Sequence, residues 1–131
     1  MQAVVFRINE EQFAIDASKV SGINEVLNIT PVPKAPDNIK GLCNLRGSIL
    51  SILDMHKLLN MERSREKDSN IIIVNINDEL LGLTVDQVDE VIDIEEEKIE
   101  GDNKKISYIK GIINFNDRIV TFIEIEKILL N

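Results

Sequence analysis

At 131 residues, with 44% hydrophobic and 29% charged side chains, the chain has the composition of one compact domain that needs no disulfide or metal staple. A formal net charge of -8 with no basic stripe argues against a phosphate-backbone ligand, so nucleic acid is not an expected partner. The single cysteine excludes an internal disulfide and suits a reducing compartment, and no apolar run nears the roughly 18 residues of a spanning helix.

Ile, Val and Leu dominate and aromatic residues are only 4%, so the expected core is aliphatic and suited to strands. The first residues, through Arg7, lack a basic start followed by an apolar run, so no signal peptide is expected and the location is read as cytoplasmic. Residues 4–8 and 12–15 flank Asn9-Glu10-Glu11 and read as a hairpin. After a polar turn at Asp16-Ala17-Ser18, residues 20–26 read as a third strand. Thr30-Pro31-Val32-Pro33-Lys34-Ala35-Pro36-Asp37 holds all three prolines and reads as a stiff, extended link, because each ring fixes φ and removes a donor. Residues 39–45 and 48–53 flank Arg46-Gly47 as a second hairpin. Asp54 is then expected to N-cap a short helix over 55–59, with His56 on its surface.

A polar linker over 61–70 leads to the same series again. Residues 71–76 and 80–84 flank Asn77-Asp78-Glu79, and 88–94 follow as a strand. A charged loop runs from Glu95 to Lys105 and reads as solvated surface. Residues 109–115 and 118–123 flank Asn116-Asp117, and Glu124 is expected to start a closing helix over 125–130. Ten short strands at regular spacing predict an all-β barrel or sandwich. The helices are too short to stand alone and must dock on the strands.

The two halves share residues at a nearly constant offset, 68 early and 70 later. Val20 aligns with Val88, Ile23 with Val91, Ile39-Lys40-Gly41 with Ile109-Lys110-Gly111, and Asn44 with Asn114. The expectation is one domain over 1–131 built from two pseudo-repeats, about 1–60 and 71–131.

Catalytic signatures are scarce. One histidine and one cysteine build neither a zinc site nor a nucleophile with its base. Cys43 lies mid-strand and aligns with Ile113, so it reads as a buried core thiol. Asp86-Gln87-Val88-Asp89 lacks the glycine and later glutamate of a calcium loop. The Gly41 to Gly47 spacing is no phosphate loop. Neither catalysis nor a metal or other cofactor is expected. A small β-barrel enzyme would need a convergent nucleophile and base that these residues do not supply.

One turn breaks its local rule. Asn116-Asp117 suits a hairpin turn, but the first half has Arg46-Gly47 at the same place. Glycine can carry the unusual backbone angles and leave Arg46 projecting outward. A guanidinium offers several fixed donors and is enriched at interface hot spots. An ordinary solvent-exposed arginine explains the residue equally well.

These residues resemble a known family. Gly41-Leu42-Cys43-Asn44-Leu45-Arg46-Gly47-Ser48-Ile49-Leu50-Ser51-Ile52-Leu53-Asp54 is similar to the signature segment of CheW, the chemotaxis coupling proteins. Val4-Val5-Phe6 with Phe13-Ala14-Ile15 resembles the family's opening hairpin. Pro31-Val32-Pro33-Lys34-Ala35-Pro36 resembles its proline-rich link, and Gly82-Leu83-Thr84-Val85-Asp86-Gln87-Val88 its Gly-to-Val-Asp segment. The resemblance implies two intertwined five-stranded SH3-like barrels without catalytic activity. It implies an adaptor between the regulatory domain of a CheA-type histidine kinase and the cytoplasmic tip of methyl-accepting chemotaxis proteins, in arrays that include other CheW-like domains. A similar module of a non-flagellar chemosensory pathway is the alternative. By the same resemblance, Arg46, Val88 and Val91 fall at receptor-binding positions, and Val20, Gly41 and Gly82 at kinase- or partner-binding positions. One departure stands out: the family usually has a glutamate two residues after the position of Val20, and here that residue is Gly22.

Overall fold

The computed structural model describes residues 1–25, 28–62, 70–101 and 106–129. Ten strands form in the predicted order: β1 (Gln2–Ile8), β2 (Glu11–Asp16), β3 (Val20–Glu25), β4 (Ile39–Leu45), β5 (Ser48–Asp54), β6 (Asn70–Ile76), β7 (Glu79–Val85), β8 (Gln87–Asp93), β9 (Ile109–Phe115) and β10 (Arg118–Ile123). Two four-residue helices, α1 (Met55–Leu58) and α2 (Ile125–Ile128), follow β5 and β10. Val26, most of the expected 61–70 linker, the 102–105 part of the charged loop and Leu130 lie outside the described residues.

The strands make two five-stranded SH3-like sheets, in the orders β8-β1-β2-β10-β9 and β3-β6-β7-β5-β4. They belong to two compact units, the first formed by residues 1–18 and 88–131 and the second by residues 19–87. The chain therefore leaves the first unit after β2, builds the second from β3 to β7, and returns. Antiparallel hairpins supply most of the pairing, and one parallel pair joins their ends in each unit: β2 with β10, and β5 with β7.

In the first unit Ala3, Val5, Ala14, Ile94, Ile113, Val120 and Phe122 form one buried cluster. In the second, Cys43 packs with Leu50, Ile52, Ile71 and Ile73. Cys43 is thus a buried free thiol, as its alignment with Ile113 indicated. Burial of this aliphatic surface is the main favourable term in each unit.

The proline-rich link begins at Thr30, which exchanges two backbone hydrogen bonds with Leu42, at 2.8 and 2.9 Å. In the first unit Glu100 does the same with Ile112, both at 2.8 Å. Each crossing passes directly over a glycine, Gly41 or Gly111, where a Cβ would lie 2.2 Å from the Thr30 carbonyl oxygen or 2.0 Å from that of Glu100.

The helices differ from expectation in two respects. Asp54 does cap α1, its carboxylate accepting from the His56 backbone N–H at 2.9 Å. His56, however, is buried rather than on the surface. Its ring lies between two buried carboxylates, with Nδ1 3.5 Å from Asp54 Oδ1 and Nε2 3.3 Å from Asp86 Oδ1. A polar side chain enters a core when charged partners are buried with it, and Asp86 arrives from the end of β7. Glu124 precedes α2 with extended backbone angles but makes no side-chain cap bond. Its longer side chain instead reaches Lys127, 3.4 Å away.

Candidate functional site

The second unit presents the Arg46 turn. Leu45 pairs with Ser48, leaving Arg46 and Gly47 as a two-residue hairpin loop. Both loop residues have positive φ, 53° and 86°. That is the turn whose twist matches the flanking strands. Gly47 carries unusual angles as expected, and Arg46 sits in the left-handed region beside it. An L-residue there costs about 1 kcal/mol relative to glycine or asparagine. The Asn44 side chain accepts from the Gly47 N–H at 3.1 Å and helps hold the turn. The counterparts of Arg46 and Gly47 in the first unit, Asn116 and Asp117, do not have positive φ.

Arg46 is exposed and lines an open groove of about 370 Å³ on this unit. The groove runs from β3, through Gly22 and Ile23, past the Arg46 turn to Leu50 and Leu80. Among the described residues, Arg46 is the one charged side chain that lines it. No ion pair to Arg46 occurs among the described residues. Ile23 is 41% exposed and Leu80 37%, so the groove has an aliphatic rim around one cation.

Val20, Gly41 and Gly82 lie in the same unit as Arg46 but do not line this groove. Val20 is half-buried and pairs with Val74, next to a register shift that bulges β3 before Gly22. Gly41 is buried beneath Thr30. Gly82 is buried on β7, where a Cβ would lie 2.5 Å from Ile52 Cδ1 and 3.0 Å from Ile71 Cγ2. Each of these glycines has a packing reason to lack a side chain. Any part they take in binding acts through the strands they hold in place.

The first unit carries Val88 and Val91 on β8. Val91 is 52% exposed, whereas Val88 is half-buried. Three positions apart on a strand, the two point to opposite faces. Between them sits an ionic cluster that sequence reasoning missed. Asp89 accepts from Gln12 at 2.7 Å and pairs with Arg7 at 3.2 Å, and Glu90 pairs with Arg118. The guanidinium of Arg118 also stacks 5.0 Å from the centroid of the Phe115 ring. Laying Glu90 against Gly22 at the early offset would have revealed that only one half carries the acid.

Among the described residues no group of three or more His, Cys, Asp or Glu side chains is placed to hold a metal ion. No described helix is long and apolar enough to cross a membrane. What the described residues do offer is sheet surface, exposed aliphatic side chains and, at Arg46, an exposed arginine with no ion pair among them.

Comparison with known proteins agrees with that character. A CheW-like domain model matches residues 2–131. Proteins named chemotaxis protein CheW from Thermotoga maritima and Bacillus subtilis are each 29% identical, covering 98% and 96% of this chain and 87% and 85% of their own lengths. The crystal structure of the scaffolding protein TtCheW from Thermoanaerobacter tengcongensis superposes with a TM-score of 0.84 at 35% identity, over 93% of this chain and 82% of that one. Fold, signature segment and full-length similarity agree: the chain belongs to the CheW family.

Proposed function

We propose that this chain is a non-enzymatic adaptor of bacterial chemotaxis, coupling a CheA-type histidine kinase to the cytoplasmic tips of methyl-accepting chemotaxis proteins. It works in the cytoplasm, at membrane-bound receptor arrays that include other CheW-like domains. The regulatory domain of the kinase and the receptor tip bind the same chain, so occupancy of one partner draws in the other. Repetition across an array raises individually modest affinities by avidity.

The observation that carries this reading is the Arg46 turn in a chain of this family. The hairpin needs a left-handed residue at this position, and glycine or asparagine would fill it with less strain than an exposed arginine that has no ion-pair partner among the described residues; that choice of residue is a pointer to function. Val88 and Val91 are proposed to add receptor contacts. Val20, Gly41 and Gly82 are proposed to maintain the kinase-facing surface, and the two pseudo-repeats to supply one unit of contacts each.

The test is calorimetric titration of the purified chain with a receptor-tip fragment and, separately, with the kinase regulatory domain. Arg46→Ala is expected to weaken receptor-tip binding by about 2 kcal/mol, roughly 30-fold, as for a central interface arginine. Unchanged affinity removes Arg46 from the contact. No kinase binding at high micromolar concentration overturns the coupling role.

A further inference from the structure

The chain contains its own comparison for the Arg46 groove. At the early offset of 68 residues, Gly22 on β3 corresponds to Glu90 on β8. In the first unit that glutamate forms an ion pair with Arg118, an arginine at the start of the unit's last strand. In the second unit the acid is missing, and the arginine of the equivalent hairpin stands in the turn itself rather than just after it: Arg118 aligns with Ser48, and Arg46, beside the same groove as Gly22, has no ion-pair partner among the described residues.

The fold does not demand glycine at this position. Gly22 lies in a strand without positive φ, and a Cβ built on it would meet nothing closer than Asn24 Oδ1 at 3.8 Å and Ile73 Cδ1 at 4.0 Å. Glycine within a strand is otherwise unfavourable, because it costs backbone entropy and adds no packing. By contrast Gly41 and Gly82 are required by close neighbours at 2.2 and 2.5 Å. The absent side chain at Gly22 therefore has no internal structural cause, and its effect is to leave one cation uncompensated in a groove with an aliphatic rim. A chain of net charge -8 repels acidic partners over most of its surface, so this is a local exception.

We propose that the groove is the docking site for an acidic segment of a partner protein, a carboxylate flanked by aliphatic side chains, and that Gly22 determines its specificity by withholding the internal acid that would neutralise Arg46. The carboxylate pairs with the Arg46 guanidinium, and its aliphatic neighbours cover Ile23 and Leu80. The geometry suits Arg46 because a guanidinium can hold a carboxylate through two parallel hydrogen bonds. This inference rests on Arg46 being a partner contact, as proposed above, and adds the chemistry of what it contacts.

The experiment uses the full chain and two probes, the receptor-tip fragment and the kinase regulatory domain. Gly22→Glu restores the missing acid, Gly22→Gln adds the same bulk without charge, and Gly101→Glu makes the same change in net charge in the other unit. Gly22→Glu is expected to weaken binding of the receptor-tip fragment about tenfold at low salt, with a smaller loss at high salt, and to leave binding of the kinase regulatory domain unchanged. Gly101→Glu should bind the receptor-tip fragment as the unaltered chain does, and Gly22→Gln, which adds bulk to the groove without charge, should lose less than Gly22→Glu and show no salt dependence. In an Arg46→Ala background, Gly22→Glu should add no further loss. The proposal is overturned if Gly22→Glu binds the receptor-tip fragment normally, if Gly22→Gln loses as much, or if the loss persists without Arg46. Failure of the unaltered chain to bind either probe overturns the coupling reading itself, together with this inference.

Discussion

Replacing Gly41 with alanine tests whether this glycine serves packing or partner contact. The new Cβ would lie 2.2 Å from the Thr30 carbonyl oxygen and 2.7 Å from its carbon, and 2.9 Å from Ile29 Cγ2. These are mostly backbone atoms, so no rotamer change relieves the overlap. The molecule can respond by expelling Thr30 from β4, which breaks both hydrogen bonds to Leu42. At about 1 kcal/mol net for each bond, that costs about 2 kcal/mol. The φ of 154° at Gly41 is also unfavourable for alanine and adds about 1–2 kcal/mol. The expected loss is therefore about 3–4 kcal/mol, a large part of the stability of an ordinary domain. Urea unfolding followed by circular dichroism measures it directly, as a lower midpoint with an unchanged slope. Partner binding should fall only in proportion to the folded fraction. An unchanged midpoint with lost binding would refute the packing account and make Gly41 a contact residue.

Four further outcomes follow from the same geometry. Asp54→Ala should cost about 2 kcal/mol in urea unfolding, because it removes the α1 cap, while Asp54→Asn retains most of the stability. Glu124→Ala, at a residue with no cap bond, should stay within about 0.5 kcal/mol of the unaltered chain. Glu90→Ala breaks a half-exposed ion pair with Arg118 and should cost no more than about 1 kcal/mol, less at high salt. The Cys43 thiol is 4% exposed and should react with a thiol reagent at the rate of unfolding; immediate labelling of the folded chain would contradict its place in the core.

The strands and hairpins were legible because alternating aliphatic residues and turn residues act locally. Residues 39–45, 109–115 and 118–123 appear as strands at the expected bounds. The allocation of strands to units was not legible from periodicity. Nothing local tells β2 to pair in parallel with β10, or β3 to join β6; the family resemblance supplied the intertwined arrangement. His56 was misplaced for a similar reason. Its polarity suggested surface, while its burial depends on Asp86, which is remote in sequence and close in space. Glu124 stands at the start of α2 as expected but makes no side-chain cap bond; its carboxylate, one methylene further out than that of Asp54, lies near Lys127. At the candidate site, the two-residue Arg46-Gly47 turn was readable. The left-handed φ of Arg46 and the groove beside it were not, because they arise from strands separated along the chain. Gly22 was visible as a departure, but its meaning required Glu90 and its arginine.

The most direct measurement of the central claim is capture of the kinase regulatory domain on immobilised receptor-tip fragment, with and without this chain. The account predicts that the kinase domain is retained only when the chain is present, and that Arg46→Ala reduces that retention while leaving the binary complex with the kinase intact. Retention that is the same without the chain, or absent with it, would contradict the coupling function.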